Sequence, residues 1–378
     1  MNSFIKNLSV LFLATLLLAG CGGGGSSSSA PPAGGGGGGV AGALDAGGTG
    51  VSTGEVADNA GNPVTANFTS ALDINDLNQV IGFAEVTAGA PFTAALWTVD
   101  AAGDAAIAPA ALNPIDGNTF SAAFAIDENG NAVGQSAKGT QLVAVIWPAG
   151  ATPVQLPALT AAGNSKALAI SADGTLIVGE AQDASSRTRG VLWIADTPGV
   201  FTAAPTVLPF AAFASGSDLS PFSSASGVAR VGDTEILVVG EAEAGNGDLH
   251  AALWRSVNGG TTFAASSLGI DHIAFAVNGA RQVVGESDAG LSPVSWTISD
   301  LGVASAPASL ATAGSAVAIN ENGRIAGWSG AASLATVWDG ATPVTLSENS
   351  GQAYGLNNDA QPLVVGREGA QGFVKRVN

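Results

Sequence analysis

At 378 residues, 46% of them hydrophobic, the chain is long enough for one large domain or two modest ones. Thirty acidic residues against twelve basic ones give a formal net charge of −18, which excludes a nucleic-acid partner because no Lys/Arg cluster exists to displace phosphate counterions. With 11% charged residues, 53 glycines and one cysteine, the composition disfavours long charged helices, rules out an intramolecular disulfide, and favours short strands joined by tight turns.

Lys6 precedes an apolar run from Leu8 to Leu18 that is too short to span a bilayer and reads as an export signal. The run ends in Leu18-Ala19-Gly20-Cys21, which resembles the lipobox of bacterial lipoproteins. That resemblance implies cleavage before Cys21, lipidation of its thiol, and anchoring in a membrane by acyl chains that each contribute about 0.8 kcal/mol per buried methylene. Gly22 after the cysteine implies, by the same resemblance, release to the outer membrane or cell surface. Residues 1–20 are therefore expected to be a signal peptide, and 21–50, rich in Gly and Ser, a tether.

From residue 51 to 378 a repeat of about 47 residues returns seven times, near the blade period of a propeller. Each copy has an apolar strand ending in pairs such as Ile74-Asn75, Val277-Asn278 or Leu356-Asn357, then a polar turn. A second strand ends in Gly82, Gly134, Gly179, Gly240, Gly285, Gly327 or Gly366, and a third ends in Trp97, Trp147, Trp193, Trp254, Trp296 or Trp338, with Lys375 in the seventh place. Turns such as Asp127-Glu128-Asn129-Gly130 supply the left-handed backbone angles of tight hairpins. A fourth strand follows, as in Thr342-Pro343-Val344-Thr345, and its proline places it on the outer edge of its sheet. The seventh copy lacks this strand, whereas Gly61-Asn62-Pro63-Val64-Thr65 matches its pattern. The expected fold is therefore all-β, a seven-bladed β-propeller closed by an N-terminal strand that completes the last blade.

The repeat resembles the bacterial extracellular HAF repeat, named for a His-Ala-Phe signature, most closely at His250-Ala251-Ala252-Leu253-Trp254. The resemblance runs from about residue 51 to the end and implies an extracellular propeller-like module with no enzymatic activity attached.

Catalytic patterns are sparse. The mature chain has two histidines, His250 and His272, no His pair at metal-ligand spacing and no Gly-x-Ser-x-Gly elbow. Both histidines read as strand residues. One pattern stands out: the residue after each repeat glycine reads Phe83, Gln135, Glu180, Glu241, Glu286, Trp328 and Arg367. Pseudo-symmetry should set these side chains in one ring, either as solvated strand ends or as a site for a cation such as calcium, a basic peptide or a sugar. No resident cofactor is called for. The functional expectation is a monomeric, membrane-anchored binding module for a carbohydrate or protein ligand; the alternative is a polysaccharide hydrolase or lyase drawing an acid pair from Glu180, Glu241 and Glu286.

Overall fold

The computed structural model describes residues 46–377 apart from 53–54, 58–62, 101–105, 117–119, 210–221, 245–246 and 288–290; the expected signal peptide, Cys21 and most of the expected tether lie outside them. Among the described residues every regular element is a strand. Seven four-stranded antiparallel sheets form the blades of a propeller, spanning 68–111, 121–155, 165–207, 223–270, 272–309, 314–345 and, for blade 7, 351–377. The first strands of neighbouring blades contact one another all the way round, with Gly351–Leu356 of blade 7 meeting Phe68–Ile74 of blade 1, so the ring closes. First strands turn into second, and third into fourth, at what we term the lower face. Second strands run into third at the upper face.

Blade 7 is completed by Ala46–Ser52, which pairs antiparallel with Gln371–Val377. The segment around Pro63, which the sequence suggests for this role, instead pairs with Glu55–Ala57 in a two-stranded hairpin beside blade 1. The closing strand begins within the stretch assigned to the tether. Its glycine-rich sequence, Ala-Gly-Gly-Thr-Gly-Val-Ser, hides it from any reading based on apolar patterning.

The repeat glycines do not end the second strands but lie inside them, as Gly82 does in Gln79–Glu85 and Gly285 in Gln282–Ser287, and they have a steric cause. In every blade the pairing of the first two strands slips by one residue beside this glycine: Ala71 pairs with Gly82 but Asp73 with Ile81, and Ala274 with Gly285 but Ala276 with Val284. The bulge drives the first-strand backbone against the second strand. A Cβ on any of the seven glycines would lie 1.9–2.1 Å from a first-strand carbonyl oxygen.

The six blade tryptophans are each at most 2% exposed and form the inter-blade core. Among the described residues, Trp147, Trp193, Trp254 and Trp296 also tie neighbouring blades together by donating Nε1–H to a carbonyl in or just after the preceding blade's fourth strand: Asn113 (2.8 Å), Pro157 (2.8 Å), Pro209 (2.6 Å) and Leu268 (3.1 Å) respectively. Lys375 occupies the seventh position without an indole and keeps the link, its Nζ donating to Leu346 O at 2.7 Å. Trp338 Nε1 is buried with no acceptor among the described residues. Trp193→Phe should therefore destabilise the protein by about 1 kcal/mol more than Trp338→Phe, since only the first loses a hydrogen bond. Urea denaturation of the two variants checks this, and equal losses would contradict it.

A second belt runs round the lower face. Asn278 accepts Gln282 N–H at Oδ1 (2.9 Å), closing its own hairpin, and donates through Nδ2 to Asn320 O in the next blade (2.9 Å). Asn320 repeats this toward Asn357 O, and Asn75 toward Asp127 O, both at 2.9 Å. An amide suits this place because it offers an acceptor to its own turn and a donor to its neighbour.

Candidate functional site

On the upper half of the ring another set of side chains ties first strands to preceding blades. Ser121, Ser165 and Ser223, each near the start of a first strand, accept at Oγ the N–H of Ala94, Ala144 and Gly190 in the preceding blade, all at 2.9 Å, and Thr69 Oγ1 accepts Gly372 N–H at 2.8 Å. These bonds fix the strand starts around the upper opening. The next residue in each first strand pairs with the residue after the repeat glycine, as Lys166 does with Glu180 and Ser224 with Glu241.

The expected ring is thus at one level in all seven blades, but its members are not alike. Phe83 of blade 1 is buried against Phe68 and Phe92, with ring centroids 6.1 and 5.1 Å away. Arg367 lies over the Phe68 ring, 5.6 Å from its centroid, and donates from Nη1 to Gly369 O. Trp328 is half-buried in blade 6. These three make up an aromatic and cationic sector.

Blades 2 to 5 form the polar sector. Glu180 pairs with Lys166 Nζ (3.2 Å) and accepts a hydrogen bond from Ser224 Oγ of the next blade (2.7 Å). Gln135 Nε2 donates to Ser165 O (3.2 Å). Glu241 is 4% exposed, and its proton is held to a pKa of about 8, first by desolvation and then by the nearby negative charges of Glu180 and Glu286, with Lys166 opposing. Glu180, Glu241 and Glu286 are therefore electrostatic neighbours from three consecutive blades. The reading of these positions as solvated strand ends fails for Gln135, Glu241 and Glu286, which are 8%, 4% and 4% exposed.

A cavity of ≈ 130 Å³ opens here between blades 2 and 3, lined by Gln135, Asn164, Lys166, Glu180, Gln182 and Thr188 among others. Gln135 and Glu180 were identifiable from the repeat register. Lys166 and Asn164 were not, because the lysine stands where Ser70, Ala122 and Ile273 stand in other blades and no periodic signal marks it. Among the described residues no group of three His, Cys, Asp or Glu side chains is arranged to hold a metal ion. His250 Nδ1 lies 2.8 Å from Ser267 Oγ and His272 Nδ1 2.7 Å from Ile270 O, both in strand settings outside the cavity.

No protein-family model matches the chain. No curated protein is similar to it in sequence. Among solved structures it is similar to the β-propeller domain of the Trilobed protease from Pyrococcus furiosus, with a TM-score of 0.52, 10% identity and coverage of 82% of this chain and 94% of that one. It is more distantly similar to the Hadza microbial sialidase Hz136 (TM-score 0.45, 12% identity, 83% and 66% covered). The acylaminoacyl peptidase of Pyrococcus horikoshii is comparable (TM-score 0.47, 11% identity), with 79% of this chain covering 49% of that one. The first of these likenesses agrees with the seven sheets in showing a β-propeller. At these identities none extends beyond the fold.

Proposed function

We propose that this protein is a lipid-anchored, non-catalytic binding module of the bacterial cell envelope, related to the extracellular HAF-repeat proteins, which takes a carbohydrate or protein ligand at its upper face. The observation that supports this reading is the cavity beside the Glu180–Lys166 pair. It offers a carboxylate, an ammonium and the amides of Gln135, Asn164 and Gln182 within one concave surface. Such a set recognises hydroxyl-rich or zwitterionic groups by paired donors and acceptors, and its volume of ≈ 130 Å³ suits the edge or terminus of a larger ligand.

The alternative, a hydrolase or lyase acting on polysaccharide, draws support from the proton retained on Glu241 beside the ion-paired Glu180, since such enzymes divide roles between a protonated and an ionised carboxyl. Burial weighs against it. Glu241 and Glu286 are both 4% exposed, and Glu180 alone of the three lines the cavity.

A glycan and peptide array followed by thermal-shift titration tests the binding reading. A hit should raise the melting temperature of the native chain, and Lys166→Ala or Glu180→Gln should abolish the rise. A hit whose effect survives both substitutions would place binding elsewhere, and release of reducing sugar from any arrayed polysaccharide would favour the enzyme.

A further inference from the structure

The closing strand fixes where the anchor segment leaves the propeller. Ala46 pairs with Val377, whose N–H donates to Pro362 O in the turn between the first two strands of blade 7. The chain preceding Ala46, and with it Cys21, therefore joins the domain at the lower face. Twenty-four residues lie between Cys21 and Ala46, a contour of at most about 85 Å, so the anchor reaches either face, and surface chemistry decides which one meets the membrane.

That chemistry is asymmetric. Among the large hydrophobic side chains left exposed, five sit on lower-face turns and loops: Leu77 (58%), Val200 (48%), Val257 (58%), Leu301 (85%) and Val303 (65%). Two occupy the upper face among the described residues: Leu291 (55%) in a hairpin turn and Ile270 (52%) at the end of the fourth strand of blade 4. Val200, Val257, Leu301 and Val303 come from the third-to-fourth-strand loops of the adjacent blades 3, 4 and 5. Arg255 Nη2, beside Val257, donates to Asp300 O, beside Leu301, which joins two of these loops directly (2.7 Å). Gly260 lies against Ile194 Cδ1, which brings the blade 4 loop against blade 3.

Ion pairs occur on both faces, with Lys166–Glu180 and Arg189–Asp183 on the upper one. Arg230, Arg255, Arg281, Arg324 and Arg376 all lie at the lower ends of their strands or turns and are paired with Asp173, Glu235, Glu235, Asp339 and Asp359 respectively. These pairs neutralise carboxylates that would otherwise repel an anionic bilayer, in a chain whose net charge is −18.

We propose that the lower face of blades 3 to 5 docks on the lipid surface, its Val257, Leu301 and Val303 side chains entering the headgroup region while the upper-face cavity points away from the membrane. This rests on the lipid-anchored reading above. It adds an orientation to that reading: the ligand site is presented outward, and the apolar tips hold it there.

The full lipidated chain, reconstituted in vesicles of phosphatidylethanolamine and phosphatidylglycerol, provides the test. Cys21 is the only native cysteine, so single cysteines placed at Val257, Leu301, Ser185 and Ala332 can each carry an environment-sensitive fluorophore. Spin-labelled lipid should quench the probes at Val257 and Leu301 and leave those at the upper-face positions Ser185 and Ala332 unquenched. A Leu301→Asp, Val303→Asp double variant, read through the Val257 probe, should lose the quenching while the protein stays on the vesicles. Equal quenching at both faces, or none at the lower one, overturns the proposal. A lower-face spectral shift that needs no vesicles and grows with protein concentration overturns it in favour of a second copy. Mass spectrometry of the N-terminal peptide separates the two readings. Acylated Cys21 without lower-face quenching defeats only the docking, whereas an unmodified Cys21 defeats the anchor.

Discussion

Gly285→Ala is expected to destabilise the propeller by about 3–5 kcal/mol, among the largest losses a single added methyl can cause. The methyl would lie 1.9 Å from Ile273 O. That oxygen belongs to backbone inside a strand pair, so relief requires moving the innermost strand of blade 5, which is packed against the first strands of blades 4 and 6. Gly190→Ala is the control. Its methyl would meet nothing closer than 3.4 Å, and the backbone there is not in the left-handed region, so the expected cost is within about 1 kcal/mol. Chemical denaturation of both variants decides the matter. Similar costs would mean that the first-strand bulge relaxes freely and that the sevenfold glycine has another origin.

This glycine shows how a sequence repeat and its cause can be legible to different degrees. Its recurrence located the second strand of every blade, yet nothing in the sequence revealed that a bulge across the sheet demands it. The asparagines after the first strands were likewise legible as hairpin residues. Their second role, donating to the next blade as Asn320 does to Asn357, depends on a neighbour 37 residues away and has no local signature. Closure was legible in principle and misplaced in detail. The Pro63 segment imitates a fourth strand in sequence, whereas the strand that closes the ring, Ala46–Ser52, is recognised by the free edge of Gln371–Val377 rather than by its own side-chain pattern. At the candidate site, pseudo-symmetry correctly aligned the residues after the glycines. It could not predict their burial, because burial depends on what the next blade sets against each: Ser224 gives Glu180 a hydrogen bond, and Lys166 within its own blade gives it a counter-charge.

Glu241 turns that burial into a measurable pH dependence. Its pKa is raised from 4.5 to about 8 in the folded state, so between these values the native protein holds a proton that the unfolded chain releases. The sign follows directly: stability is greatest below about pH 4.5 and declines as pH rises toward 8, by up to about 1.4 kcal/mol per pH unit from this group alone. Asp73, on the first strand of blade 1, adds to the slope in the same direction. Desolvation raises its pKa to about 7, although its carboxylate accepts N–H bonds from Ile74 and from Ile126 of the next blade. Glu241→Gln replaces the carboxyl by a neutral group of similar shape. It should stabilise the protein by a few kcal/mol at pH 9, change little at pH 4.5, and flatten the melting temperature between pH 5 and 8 down to the slope Asp73 leaves. Melting curves across that range read the effect. A variant as pH-sensitive as the native chain would show that Glu241 ionises without penalty. At neutral pH the buried carboxyl would then carry a full negative charge, and the polar sector would present three carboxylates to the upper face. With the proton retained, only Glu180 and Glu286 are left as potential sources of negative charge, and Glu180 is already paired with Lys166. That arrangement favours a ligand recognised by hydrogen bonds over one recognised as a bare cation.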